Sequence, residues 1–265
     1  MIYKHVLVSM VLALLSVFSF AQVSEGTPEE KGLSIAVEAD KKDVGYESSQ
    51  SKMTMTLKNK RGDTSVREMR VKALEMQEDG DKSLVIFDTP KDQRGTALLS
   101  FTHKVGYDDQ WLYLPALKRV KKISSRNKSG PFVGSEFSFE DMSSQEVEKY
   151  TYKYLRDEVY EGKDCYVLER FPVDKNSGYT RQISWMDKEE LRVWKVNFYD
   201  RKKSLLKTLV NTDFKLYLDK YWRAHNANMV NHQTGKSTEL VIHDIAFKTG
   251  LEDKDFNKNS LKRAK

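Results

Sequence analysis

QWLYLPALKRVKKISSRNKSGPFVGSEFSFEDM, residues 110–142, begins as an apolar strand, turns strongly basic, and passes through a loop of glycine, serine and phenylalanine before closing on acid. Trp111 and Tyr113 alternate with Leu112 and Leu114, so this strand is apolar on both faces. A strand wetted on one side does not need that, and something apolar must cover each face. Pro115-Ala116-Leu117 reads as the turn of a hairpin, where a residue lacking an N–H costs no ladder bond. Lys118, Arg119, Lys121, Lys122, Arg126 and Lys128 follow as a basic patch. Gly130, Gly134 and Ser135 then give backbone freedom to a loop whose Phe132, Phe137 and Phe139 can cover an apolar opening.

The same period of two runs through most of the chain. Met53, Met55 and Leu57 alternate with Thr54 and Thr56; after the turn at Asn59–Asp63, Met69, Val71 and Ala73 alternate with Glu68, Arg70 and Lys72. Further strands fall near 82–88, 95–103, 106–114, 118–124, 149–157, 164–171, 178–187, 190–199, 204–216, 220–232 and 235–247, separated by turns such as Asp79-Gly80-Asp81 and Glu161-Gly162-Lys163. That is eleven to thirteen antiparallel strands in one meander, with short helices at 28–45, 140–147 and 251–260. The first helix has Thr27 as N-cap, Pro28 at its first position, and Leu33, Val37 and Val44 as an apolar stripe. So long a sheet curls into a barrel or half-barrel. Soft methionines suit a lumen that adapts to flexible chains. The pattern predicts an apolar cavity lined by Met53, Met55, Leu57, Met69, Val71, Leu84, Ile86, Trp111 and Tyr113.

Lys4, the apolar run Val6–Phe20 and the small residues Ser19 and Ala21 form a secretory leader, with cleavage expected before Gln22. Residues 1–21 are then a signal peptide and 22–265 a single domain. The alternative is a retained N-terminal membrane anchor. No cysteine lies near the end of the run, which excludes a lipid-anchored leader. The one cysteine, Cys165, allows no intrachain disulfide, so stability must come from a core. The formal net charge of +6 points to an anionic lipid or acidic partner surface before nucleic acid. With 32% charged and 39% hydrophobic residues, the chain is globular and not disordered.

Catalytic patterns are missing. His103, His225, His232 and His243 show no metal-ligand spacing, although paired strands could bring His225 and His243 together. There is no G-x-S-x-G and no phosphate-cradling glycine loop. Cys165 sits in an apolar strand, as a buried inert thiol would. The expectation is no enzyme, no cofactor and no metal.

DDQWLYLPALKRVKKI followed by SGPFVGSEFSFEDM resembles the signature of the outer-membrane lipoprotein-sorting protein family, LolA-like in fold; TPKDQRGTALLSF (89–101) and DFNKNSLKR (255–263) extend the likeness. The resemblance implies a mainly β fold, a half-open antiparallel barrel of about eleven strands with short helices as a lid over an apolar cavity. It implies a periplasmic carrier, without catalysis, that moves a lipid or lipoprotein acyl chain between envelope partners. An inner-membrane exporter and an outer-membrane acceptor are the partners expected, with the protein acting as a monomer. On this reading Gly130, Phe132, Gly134 and Phe137 form a gate, and Lys118, Arg119, Lys121 and Lys122 dock on an anionic membrane or partner. A periplasmic adaptor or stress sensor that transports nothing is the alternative, and a hydrolase or isomerase using the same cavity is a third.

Overall fold

The computed structural model describes residues 26–263, so the expected leader and its cleavage site lie outside the described residues. Helix α1 (Pro28–Asp43) is followed by strands β1 (Ser48–Lys58), β2 (Thr64–Leu74), β3 (Lys82–Phe87), β4 (Ala97–Phe101), β5 (Asp109–Leu114) and β6 (Arg119–Ile123). After a long crossing segment come β7 (Tyr150–Tyr160), β8 (Lys163–Pro172), β9 (Tyr179–Asp187), β10 (Val193–Asp200), β11 (Leu205–Tyr217), β12 (Tyr221–Asn231) and β13 (Ser237–Phe247), then helix α2 (Lys258–Arg263). All thirteen strands belong to one antiparallel sheet in the order β6-β5-β4-β3-β2-β1-β13-β12-β11-β10-β9-β8-β7.

That order corrects the single meander. Two meanders meet where β1 pairs with β13, Met55 opposite Leu240. The chain neighbours β6 and β7 are the two free edges of the sheet. The barrel is therefore half-open, and residues 124–149 form a strap that joins its edges across the concave side. A connection of that length is far too long for a hairpin.

The strap fills much of the concave side. Phe132 and Phe139 pack with Met55, Met69, Val85, Phe87, Leu98, Leu112 and Ile123, while Phe137 packs with Tyr179, Val196, Phe198 and Met229. On the opposite face Leu84, Ile86, Leu99 and Trp111 are covered by Phe256 and Leu261 of the C-terminal segment. The double-sided apolar pattern of β5 thus has two different covers, one from each side of the sheet.

The helices also depart from expectation. Residues 140–147 are not one helix but 3-10 turns at Phe139–Met142 and Val147–Lys149, and the last helix starts at Lys258, after a 3-10 turn at Asp253–Asp255. In α1 the Thr27 and Glu30 side chains cap each other's amides, as the sequence called for. Its buried face, however, is Gly32 and Ile35, while Leu33 and Val44 are each 46% exposed. The close approach to β7 decides this. A Cβ built on Gly32 would lie 2.7 Å from the Tyr154 amide nitrogen and 2.8 Å from the Lys153 carbonyl carbon, both backbone atoms that cannot swing aside. Gly32→Ala is expected to destabilise the fold by about 1–2 kcal/mol, because overpacking of about 1–3 outweighs the helix propensity gained, at most about 1. Thermal melting of Gly32→Ala beside the surface control Leu33→Ala checks this; an unchanged midpoint for Gly32→Ala would mean that α1 is not held against β7.

Candidate functional site

Beyond Ile35, α1 roofs a half-open cavity of about 420 Å³ bounded by Gln145 and Val147 of the strap, Tyr152 of β7 and the facing residues of β8–β12. Its roof is Ala36, Ala39, Asp40 and the end of the helix. Its apolar walls come from Leu168, Met186, Leu191, Val193, Val196, Phe214, Trp222 and Ala224. Small residues on the roof leave the space open; Ile35 closes one side against Leu168 and Met186.

Local structure places the walls. Asn211 and Phe214 both reach the cavity although strict alternation would send them to opposite faces. Between them Asp213 has a left-handed φ of 52°, which breaks the period of two. The β9–β10 hairpin is built round the buried Asp187. Its Oδ2 accepts from Arg192 Nε at 2.8 Å and Trp194 Nε1 at 2.7 Å, and its Oδ1 from the Glu190 amide at 2.7 Å. Burial alone would raise the Asp187 carboxyl, but Arg192, the Glu190 amide and Trp194 hold it below its ordinary value. So fixed, the Arg192 guanidinium lies over the Trp222 ring at 4.5 Å.

Two ion pairs clasp the C-terminal end of α1: Asp43 with Arg223 at 2.5 Å and Lys42 with Glu190 at 3.4 Å. Desolvation at the helix end pushes the Asp43 carboxyl above its ordinary value, and Arg223 pulls the other way. Asp40 is raised by desolvation and then by the nearby Glu146, Glu148 and Asp43. A second hollow of about 610 Å³ lies between the strap and β10–β12; Phe137, Tyr179 and Leu206 line it together with the charged Asp200, Arg201, Lys202, Lys207 and Lys236.

The residues expected to line one cavity are split between two faces. Met53, Met55, Leu57, Met69 and Val71 belong to the concave cluster, whereas Leu84, Ile86, Trp111 and Tyr113 lie under the C-terminal segment. The cause is parity: a period of two does not say which set points inward, and a one-residue slip inverts it. The concave set lines no hollow under α1. Met55 and Met69 are fully buried, with Phe132 packed in the same cluster.

The expected gate is likewise different from a loosely held flap. Phe132 is fully buried between Phe87 and Phe139, with ring centroids 5.7 and 5.8 Å away. Phe137 is 5% exposed, and only Gly134 of the four gate residues stands fully at the surface, with φ of 79°. Polar bonds pin the strap: Gln110 Nε2 donates to the Phe139 carbonyl at 2.9 Å, the Glu136 amide to Thr238 Oγ1 at 2.9 Å, and Lys207 Nζ to the Glu136 carbonyl and Asp141 at 2.8 Å each. The cations expected to dock, Lys118, Arg119, Lys121 and Lys122, are all exposed at edge strand β6 and its turn. They do not share a face: Lys121 lies opposite Leu112, and Lys122 opposite Trp111, where it pairs with Asp109 at 2.6 Å.

Cys165 is buried with Val167 and Trp185, and burial pushes its thiol up. His225 is buried between Tyr217 Oη and the Ile242 carbonyl, each 2.7 Å away, while His243 sits 2.6 Å from Thr54 Oγ1. The two histidines therefore serve separate structural bonds. Among the described residues no group of three or more His, Cys, Asp or Glu side chains could hold a metal ion. No described helix is long and apolar enough to cross a membrane.

An open antiparallel barrel roofed by a helix over an apolar cavity defines the class: a LolA-like fold. The chain belongs to the outer-membrane lipoprotein-sorting protein family. It is 60% identical to a domain of Vibrio parahaemolyticus described as an outer membrane lipoprotein-sorting protein domain, with a TM-score of 0.87 over 89% of this chain and 100% of that one. A DUF1329 family protein of Desulfovibrio piger is 28% identical, with a TM-score of 0.84 over 89% of this chain and all of the other. A LolA superfamily protein of Nitrosomonas europaea shares the fold at 22% identity, with a TM-score of 0.70 over 86% of this chain and 98% of its own. A family model described as "Uncharacterized protein" matches residues 79–263. No curated protein sequence matches the chain.

Proposed function

We propose that the protein is a periplasmic, non-enzymatic carrier that holds a lipid, a lipoprotein acyl chain or a similar hydrophobic molecule beneath α1. The observation that carries this reading is the 420 Å³ cavity, with an apolar floor and a helical roof, in a family of lipoprotein-sorting proteins. Its volume lies within the roughly 300–1,000 Å³ usual for small-molecule sites. The moving part is α1: its first half is seated on β7 through Gly32, while its second half spans the cavity and is held by ion pairs at its end. Cargo enters and leaves when that end lifts. The strap, pinned by its aromatics, fills the concave side of β1–β6.

The cationic edge of β6 is the docking side, meeting an anionic membrane or the acidic surface of an exporter in the inner membrane or an acceptor in the outer membrane. Each Lys or Arg near such a membrane contributes about 1 kcal/mol, and salt weakens the attraction. Protein purified from its own compartment should release a roughly stoichiometric lipid into organic solvent, read by mass spectrometry. It should also take up a fluorescent fatty acyl probe after delipidation. Absence of both lipid and probe uptake in folded protein would overturn the carrier reading in favour of a periplasmic adaptor.

A further inference from the structure

We infer that the cavity selects an amphiphile with an anionic head, carboxylate or phosphate, and that Arg170 binds that head. This rests on the carrier reading and adds the chemistry of the cargo to it.

Three guanidinium groups line the cavity. Arg192 is neutralised by Asp187 at 2.8 Å and Arg223 by Asp43 at 2.5 Å. Arg170 is different. Its Nε donates to Gln182 Oε1 at 2.7 Å, its Nη2 donates to Gln145 Oε1 at 3.0 Å, and its guanidinium carbon lies 4.2 Å from the Tyr150 ring centre. Every one of those partners is uncharged. No carboxylate lies within ion-pair distance of it among the described residues. Arg170 is half-buried, with its Gln145 bond at the exposed rim, so the charge faces the cavity mouth where an incoming anion can reach it.

The neighbours hold the group in place and leave its charge unspent. Gln182 is buried and fixes one edge of the plane. A glutamate at either glutamine position would have closed an internal ion pair; the amides orient the guanidinium without neutralising it. Guanidinium suits carboxylate and phosphate because its planar fork matches two oxygens at once. Arg170 also follows Leu168 by two residues on β8, so both side chains face the cavity. Leu168 belongs to the apolar floor, which sets the cation beside the place where a hydrocarbon chain would lie.

The test compares three ligands of one chain length, a fatty acid, an alkyl phosphate and the fatty alcohol, at mildly alkaline pH with delipidated full-length protein. Competition against a fluorescent acyl probe reads affinity. Wild type should bind at least one of the two anions about tenfold or more tighter than the alcohol, the size expected of a charge-assisted pair. Preference between acid and phosphate assigns the source as a free fatty acid or a phospholipid-type head. Arg170→Gln should bring the anion-to-alcohol ratio close to one, with the loss falling on the two anions. Gln182→Glu, which supplies an internal counter-charge, should lower anion affinity in the same way while Arg170 is still present. Equal binding of all three ligands by wild type, or a ratio that survives in both folded variants, would overturn the assignment. If none of the three ligands displaces the probe, the carrier reading itself fails with it.

Discussion

Replacing Phe132 by alanine is expected to lower folding stability by about 3–5 kcal/mol, the usual cost of removing a fully buried phenylalanine. The ring is wholly enclosed, with Phe87 on one side and Phe139 on the other, in the same cluster as Met55 and Met69. It fills the space a period-two reading assigns to cargo. In a domain of this size each kcal/mol moves the melting midpoint by about 2–4 °C, so a fall of roughly 10 °C is the readout. A fall under about 2 °C would mean that the strap is a loose flap after all. The paired change Met55→Asp with Met69→Asp should unfold the protein rather than empty a lipid site, because both side chains are fully buried and a charge placed there has no partner.

Filling the space beneath α1 should act the opposite way, on binding and not on folding. Ala39 forms part of the roof and packs against the cluster of Ile35, Leu168 and Met186. Ala39→Trp puts a large ring where the acyl chain is proposed to lie, and should weaken binding of a fluorescent fatty acyl probe by about tenfold or more, a loss of at least roughly 1.4 kcal/mol. Stability should change little, since the ring enters existing space and does not crowd filled volume. Ala36→Phe, one position from Ile35 on the same roof, provides a second variant should the tryptophan force α1 away from the sheet. Unchanged probe binding in both folded variants would move the cargo site elsewhere, and the larger hollow beside Phe137, Lys202 and Lys207 would be the next place to look.

Much of the site escaped a linear reading for identifiable reasons. Alternation correctly located β1 to β13 and grouped Met53, Met55, Leu57, Met69 and Val71, but it joined Leu84, Ile86, Trp111 and Tyr113 to them although they face the other way. On α1 the visible stripe of Leu33, Val37 and Val44 is not the buried face: Leu33 and Val44 are exposed and Val37 is half-buried. The face turned to the sheet and the cavity is Gly32, Ile35, Ala36 and Ala39, of which only Ile35 carries a strong hydrophobic signal. Asp213 could not be recognised as the point where β11 breaks step, since a left-handed aspartate in a strand has no distinguishing neighbour pattern. The one available clue to the cavity was the set of bulky residues Phe214 and Trp222 with the charged Arg192 and Arg223, scattered over β11, β12 and the β9–β10 turn.

By itself the sequence determined the mainly β character, the turn positions, the capped first helix and the family likeness, because these depend on local periodicity and on residues adjacent in the chain. Only the tertiary structure decided that β1 pairs with β13 while β6 and β7 stay apart, that the phenylalanines of 130–142 fill the methionine-lined hollow, and that the open space lies under α1. Each of those outcomes depends on which cover reaches which face of the sheet. A period of two is the same whichever face turns inward, and the competition among strap, helix and C-terminal segment for those faces is settled by volume and reach between residues far apart in the chain.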